Sequence, residues 1–312
     1  TRTLEHNMSS NSDQYGFIGL GAMGLPMAIN LQNYISSNNL PPLIVYNRTF
    51  SKTQSVKEIG AIAATSLKQV IEYANIIFTS LANDDAVNQT YNKILKELDL
   101  IDDYNKRKII FIETSTIYPT TISALREKIE NANNTLLYCP VWGPPPAAKN
   151  AQLSVITSGN QDAIDYILPL LVPVLGKRAL SAGDDVKKAA KFKLIGNFFI
   201  AGTCELLSEG ITFAEKSGVE KEMFMEFLSS VYSPNVYIRY GTKMMEEKFD
   251  TDIGFSVANA LKDLGHIQKI AKDSGAHLPL ADLVSKNLNY VKDNVSGGND
   301  YDWSSMIGAL RV

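Results

Sequence analysis

Tyr15-Gly-Phe-Ile-Gly-Leu-Gly-Ala-Met-Gly-Leu-Pro-Met-Ala28 is the stretch whose reading decides the fold. Phe17-Ile18-Gly19-Leu20 is a short apolar run and reads as a buried strand, and a helical pattern starts directly after it. Gly19, Gly21 and Gly24 make a G-x-G-x-x-G turn between the two. Gly19 permits the tight strand-to-helix turn, Gly21 lets backbone approach a pyrophosphate, and Gly24 lets the helix pack on the strand. The helix N-terminus then presents free N–H groups and a favourable dipole to the phosphates. Leu20, Ala22 and Met23 fill the loop and are assigned to the same cofactor contact.

Outward from that loop, short apolar runs alternate with helical patterns. Strands are expected at 15–20, 43–47, 76–81, 108–113, 135–139 and 153–158, with helices starting near 22, 51, 66, 84, 118 and 160. This alternation predicts an α/β domain: a doubly wound, parallel Rossmann-type sheet with helices on both faces. Leu81 and Ala82, just past the third run, fall where the cofactor crosses the sheet. Asn38-Asn39-Leu40-Pro41-Pro42 and Gly143-Pro144-Pro145-Pro146 read as loops. After Gly183 the texture changes to a long 3.6-period pattern without proline, ending at Ser217-Gly218. Further helical patterns follow near 220–231, 235–247, 256–274, 279–294 and 302–311. The expected division is a disordered tail over 1–14, a nucleotide-binding domain over 15–183, and an all-helical domain over 184–312. One long helix joins the two domains.

Composition agrees with two ordinary globular domains: 312 residues, 45% hydrophobic, 20% charged, net charge −3. No basic stripe points to nucleic acid. No apolar run nears the roughly 20 residues of a membrane span. Cys139 and Cys204 have no metal or redox spacing, which predicts a reducing, cytoplasmic setting. The first residues lack the apolar core of a secretory signal, and Met8 reads as the native start.

The second strand settles which nucleotide is expected. Leu43-Ile-Val-Tyr-Asn47 runs into Arg48-Thr49. NAD sites usually place a carboxylate here for the ribose 2′-OH. Asn47, Arg48 and Thr49 instead offer an amide, a cation with a planar fork of donors, and a hydroxyl. That set suits a 2′-phosphate, so the expected cofactor is NADP.

With these residues read, the chain resembles the β-hydroxyacid dehydrogenase family. That family includes 3-hydroxyisobutyrate dehydrogenase and glyoxylate/succinic semialdehyde reductases; imine reductases are close relatives. The glycine loop and Tyr46-Asn-Arg-Thr49 carry the resemblance first. Glu113-Thr-Ser-Thr-Ile-Tyr-Pro119 resembles the D-x-S-T segment, and Lys191-Phe-Lys-Leu-Ile-Gly-Asn197 the K-x-x-N-N helix. Phe255 to Asp263 resembles the K-D helix, and Gly297-Gly-Asn-Asp-Tyr-Asp-Trp-Ser304 the C-terminal signature. The resemblance implies hydride transfer between a nicotinamide and a small carbonyl substrate. It implies Lys193 as general acid, Asn197 orienting Lys193 or the substrate oxygen, Ser115 on the substrate, Thr116 facing the cofactor and Lys262 holding the nucleotide. It also implies a homodimer, with 184–312 as the substrate and dimerisation domain.

The residues read by themselves favour Lys193 over Lys191. Lys193 sets Asn197 four positions on, along one helix face. Phe192, Leu194, Ile195, Phe198 and Phe199 are expected to shelter it, and desolvation lowers a lysine's pKa toward the useful range.

The chain departs from its relatives at the loop that cradles a substrate carboxylate. The family's P-V-S-G-G reads Pro140-Val-Trp-Gly-Pro-Pro-Pro146. Trp142 replaces a serine, and Pro144 removes an N–H donor beside Gly143. Gly196 replaces the first asparagine after Lys193. The expected activity is NADPH-dependent reduction of an aldehyde, semialdehyde or oxo acid with Lys193 as general acid/base; the altered loop points toward a bulkier or uncharged carbonyl, with Trp142 as an aromatic wall and Gly143 beside it. The alternatives are an imine reductase and a non-catalytic NADP-binding sensor or scaffold. Tyr104 with Lys108 matches a Y-x-x-x-K pair by chance of spacing. His6, His266 and His277 are scattered, so no metal site is expected.

Overall fold

The computed structural model describes residues 13–100, 108–231, 236–274 and 278–312. His6, His277, most of the N-terminal tail and Tyr104 lie outside the described residues. The chain divides into two compact units, Thr1–Lys193 and Leu194–Val312.

The first unit is built on one sheet. Its strands are β1 (Tyr15–Ile18), β2 (Ile44–Tyr46), β3 (Ile62–Ala63), β4 (Ile76–Thr79), β5 (Ile110–Glu113), β6 (Thr135–Tyr138), β7 (Val141–Trp142), β8 (Leu153–Ser158) and β9 (Gly176–Gly183). Their order is β3-β2-β1-β4-β5-β6-β8-β7, with β9 paired to β8. The six strands from β3 to β6 are parallel. The helices are α1 (Gly24–Ser37), α2 (Gln54–Lys57), α3 (Leu67–Tyr73), α4 (Asp84–Asp99), α5 (Pro119–Asn131), α6 (Pro145–Lys149) and α7 (Gln161–Pro169).

Both faces of β1, β4, β5 and β6 are buried, which is why these strands read as near-continuous apolar runs rather than alternating. Phe17, Phe78, Ile112 and Leu137 join one core cluster, and Phe17 stacks on Phe78 with centroids 5.9 Å apart. Their neighbours Ile18, Ile77, Phe111 and Leu136 join the other. Side chains of Ser66, Asn83 and Asn160 cap α3, α4 and α7.

Two expectations need correction. The sheet is mixed: β8 runs antiparallel to β6 and β7, and parallel to β9. The reason is the five-residue α6. It spans only about 7.5 Å, too short to return the chain along a strand of about 20 Å. The second correction is to the proline stretch. Pro144 is the N-cap of α6, and Pro145 and Pro146 are its first residues. Those are the positions whose N–H groups have no partner inside a helix, so three prolines start one readily.

The second unit is all-helical, as expected. The long helix α8 (Val186–Ser217) runs from the first unit into it. The division falls inside α8 rather than ahead of it, because Val186, Ala189 and Ala190 belong to the core of the first unit. Then come α9 (Lys221–Val231), α10 (Val236–Glu246), α11 (Val257–Ser274), α12 (Pro279–Asn294) and a terminal 3₁₀ stretch, Trp303–Leu310. Their core holds Leu194, Leu207, Ile211, Met244, Leu264, Leu288 and Trp303. No helix among the described residues is long and apolar enough to cross a membrane.

Candidate active site

The order of the sheet reverses between β1 and β4, and ligands of such sheets bind outside the strand ends at that point. The glycine loop lies there. Gly19 has φ +96°, and a Cβ on it would stand 2.1 Å from Ser80 O. A Cβ on Gly24 would stand 1.9 Å from Gly19 O, so helix and strand meet only through glycine. Gly21 differs: a Cβ there meets nothing within 4 Å, and both it and Ala22 are exposed. The fold itself does not require glycine at 21, whereas a pyrophosphate approaching the backbone does. Met23 caps α1 without a side-chain hydrogen bond, and the first turn carries no acid. The loop and helix end thus fit a dinucleotide.

Asn47 braces this loop. Its Oδ1 accepts from Leu20 N at 2.9 Å and its Nδ2 donates to Thr49 O at 2.9 Å. Its amide is spent within the protein. Arg48 and Thr49 are exposed beside it.

A second brace joins the loops after β4 and β5. Ser115 Oγ accepts from Leu81 N at 2.7 Å. Ser115 N donates to Glu113 Oε1 at 2.6 Å, and Thr79 Oγ1 donates to Glu113 Oε2 at 2.7 Å. Glu113 is fully buried, and burial pushes its carboxyl up to about 7. Ala82 is exposed and Thr116 half-buried on the same rim.

Lys193 is 6% exposed, whereas Lys187, Lys188 and Lys191 are exposed. Its ammonium lies 5.7 Å from the centroid of the Trp142 ring. Trp142 Nε1 donates to Lys193 O at 3.3 Å, and its ring meets Phe192 edge-on at 4.9 Å. The expected apolar shelter is thus partly wrong: Leu194 is buried, but Ile195 and Phe199 are 61% and 70% exposed. Trp142 shelters the lysine instead. Gly143 has φ +138°, and its Cβ would press on Leu153 at 2.8 Å. Glycine is required there by the fold.

In the second unit, Asn197 Nδ2 donates to Asp263 Oδ2, and Asp263 Oδ1 pairs with Lys262 Nζ at 3.0 Å. Asp263 is buried and ties the predicted Asn197 to the predicted Lys262. Among the described residues no group of three His, Cys, Asp or Glu is placed to hold a metal ion.

Fold, glycine loop and helix N-terminus define a dinucleotide-binding protein. A family model described as the NAD binding domain of 6-phosphogluconate dehydrogenase matches residues 14–182. Another, described as NAD-binding of NADP-dependent 3-hydroxyisobutyrate dehydrogenase, matches 188–310. The chain is 33% identical to an uncharacterised oxidoreductase of Bacillus subtilis, over 94% of this chain and 98% of that one. It is 29% identical to an NADH-dependent oxidoreductase of Aspergillus ustus, over 93% and 96%. The solved 3-hydroxyisobutyrate dehydrogenase of Mycobacterium tuberculosis shares the fold, with TM-score 0.81, 22% identity and coverage of 97% and 100%. The chain belongs to the β-hydroxyacid dehydrogenase family and is an NAD(P)-dependent dehydrogenase or reductase.

Two residues escaped the assignment from sequence. Asp263 lay in the K-D motif without a role, and Glu113 was read only as part of a match. A carboxylate ending an apolar strand, as in Ile109-Ile-Phe-Ile-Glu113, was the available signal for the second.

Proposed function

We propose that the chain uses NADPH to reduce a carbonyl compound that lacks a carboxylate, with Lys193 as proton donor. The observation that carries this reading is the burial of Lys193 against Trp142, set against its exposed lysine neighbours. A dinucleotide held by its pyrophosphate at Gly19, Gly21 and Gly24 would supply the hydride for the carbonyl carbon. Lys193 Nζ gives its proton to the oxygen as the C=O bond becomes C–O–H. Water afterwards reprotonates the lysine. Asn197, held by Asp263, orients the lysine or the substrate oxygen from one turn along α8. Ser115 and Thr116 are assigned to the rim on which substrate and cofactor meet, and the family resemblance assigns Lys262 to the nucleotide.

Arg48 supports NADP over NAD, because a guanidinium at this strand end pairs with a 2′-phosphate. The start of α6 supports this substrate class. Pro144, Pro145 and Pro146 supply no N–H donors there, and Trp142 supplies a ring where relatives supply a hydroxyl. An anion finds little to hold it, whereas a flat apolar group packs on the indole. An exposed stripe of Ile195, Phe199 and Leu206 on α8 supports a homodimer through that face. Two free, buried cysteines suit a reducing, cytoplasmic setting.

The test is a panel of neutral aldehydes and ketones, small oxo acids and cyclic imines, read by loss of NADPH absorbance. Turnover of the neutral carbonyls is expected. Turnover of imines alone would make the protein an imine reductase, and binding without turnover would make it a nucleotide-dependent scaffold.

A further inference from the structure

Glu113 ends β5, at the edge of the point where the sheet order reverses. Its hydrogen bonds extend in both directions. Thr79 Oγ1, which donates to Glu113, lies 2.8 Å from Tyr91 Oη, and Ser115 Oγ receives Leu81 N. Tyr138 Oη donates to Ser115 O at 3.1 Å. One buried chain thus runs from Tyr91 through Thr79, Glu113 and Ser115 to Leu81, tying the loop after β5 to the loop after β4. Tyr91 from α4 and Tyr138 from β6 are the titratable groups facing Glu113, and no cation contributes to its shift. Burial holds the Tyr91 phenol well above its ordinary range, so it remains a donor.

A neutral amide could accept at only one of these two positions, because its nitrogen donates. The carboxylate adds a second state. Ionised, it accepts from the Ser115 amide and the Thr79 hydroxyl together. Protonated, it has to donate from one oxygen, and Thr79 has to turn, which slackens the hold on Ser115.

We propose that Glu113 is a positioning residue whose ionised carboxylate draws Ser115 against Leu81, so that binding of the nucleotide expels a proton. The inference rests on the reading that the nicotinamide half lies on this rim. With the carboxyl brought to about 7, the two states exchange at neutral pH.

Calorimetric titration with NADPH at pH 7, in two buffers of different ionisation heat, measures the protons released on binding. The wild type is expected to release a fraction of a proton more than Glu113→Gln. Its kcat/KM is expected to exceed that of Glu113→Gln about tenfold at pH 8 and less than about twofold at pH 6. Equal proton release and parallel pH profiles would overturn the inference while leaving the reductase reading intact. No binding of NADPH to either protein would overturn both. Should Glu113→Gln not fold, Thr79→Val keeps the carboxylate and removes one donor to its ionised form. It is expected to raise the midpoint of the profile by about one pH unit; an unmoved midpoint would also overturn the inference.

Discussion

Lys193 Nζ lies 5.7 Å from the centroid of the Trp142 ring, and the Trp142 indole N–H donates to the Lys193 carbonyl. One ring thus holds both the side chain and the backbone of the lysine. A cation facing an aromatic ring in a sheltered place gains about 1–2 kcal/mol. Trp142 therefore has two effects, a wall for the substrate and a support for the proton donor.

Replacing it should separate the two. Trp142→Ser restores the hydroxyl that relatives carry in this loop. It is expected to lower kcat/KM for bulky neutral carbonyls about tenfold, and to raise the preference for glyoxylate or succinic semialdehyde by a similar factor. Steady-state kinetics on both substrate types read this. No gain on the small acids would mean that Pro144, Pro145 and Pro146 at the start of α6, not the lost hydroxyl, exclude them.

Arg48 should decide between the two nucleotides. Losing a charge-assisted contact to a phosphate costs roughly 10- to 100-fold in affinity. Arg48→Ala is expected to weaken NADPH by that factor and to leave NADH nearly unchanged, as read by fluorescence titration. An equal effect on both would place Arg48 outside the 2′-phosphate site.

Glu113 should make stability depend on pH. Its carboxyl sits near 7 in the folded chain, against an ordinary value of 4.5. The folded state therefore holds a proton that the unfolded state releases between these values. Its contribution is fully present below pH 4.5 and is lost as pH rises toward 7, by about 3 kcal/mol. Urea midpoints of the wild type should fall across that window relative to Glu113→Gln, which has no proton to lose.

The α8 stripe should set the oligomeric state. Phe199→Asp places a charge where a second copy would pack. Sedimentation velocity is expected to show a dimer for the wild type and a monomer for the variant.

Much of the fold was legible because both faces of the sheet are buried. Runs such as Ile76-Ile-Phe-Thr79 and Ile110-Phe-Ile-Glu113 stand out from polar helix starts. The two-residue β3 and β7 are too short to show a period. The mostly exposed β9 has no apolar run to betray it. Gly19, Gly21 and Gly24 were legible because each has a separate steric reason to be glycine. The partners of Lys193 were not: residues 142 and 193 meet only through the fold. Asp263 was hidden likewise, since nothing in its neighbourhood marks it as the acceptor for Asn197, 66 residues away.

The central claim is that Lys193 delivers the proton. The most direct measurement is the rate of NADPH oxidation with a neutral aldehyde, compared among wild type, Lys193→Ala and Lys191→Ala. Loss of a positioned general acid costs about 10²- to 10⁴-fold. The account predicts a loss of that size in kcat for Lys193→Ala, with NADPH affinity kept, and wild-type rates for Lys191→Ala. Equal rates for wild type and Lys193→Ala would contradict it.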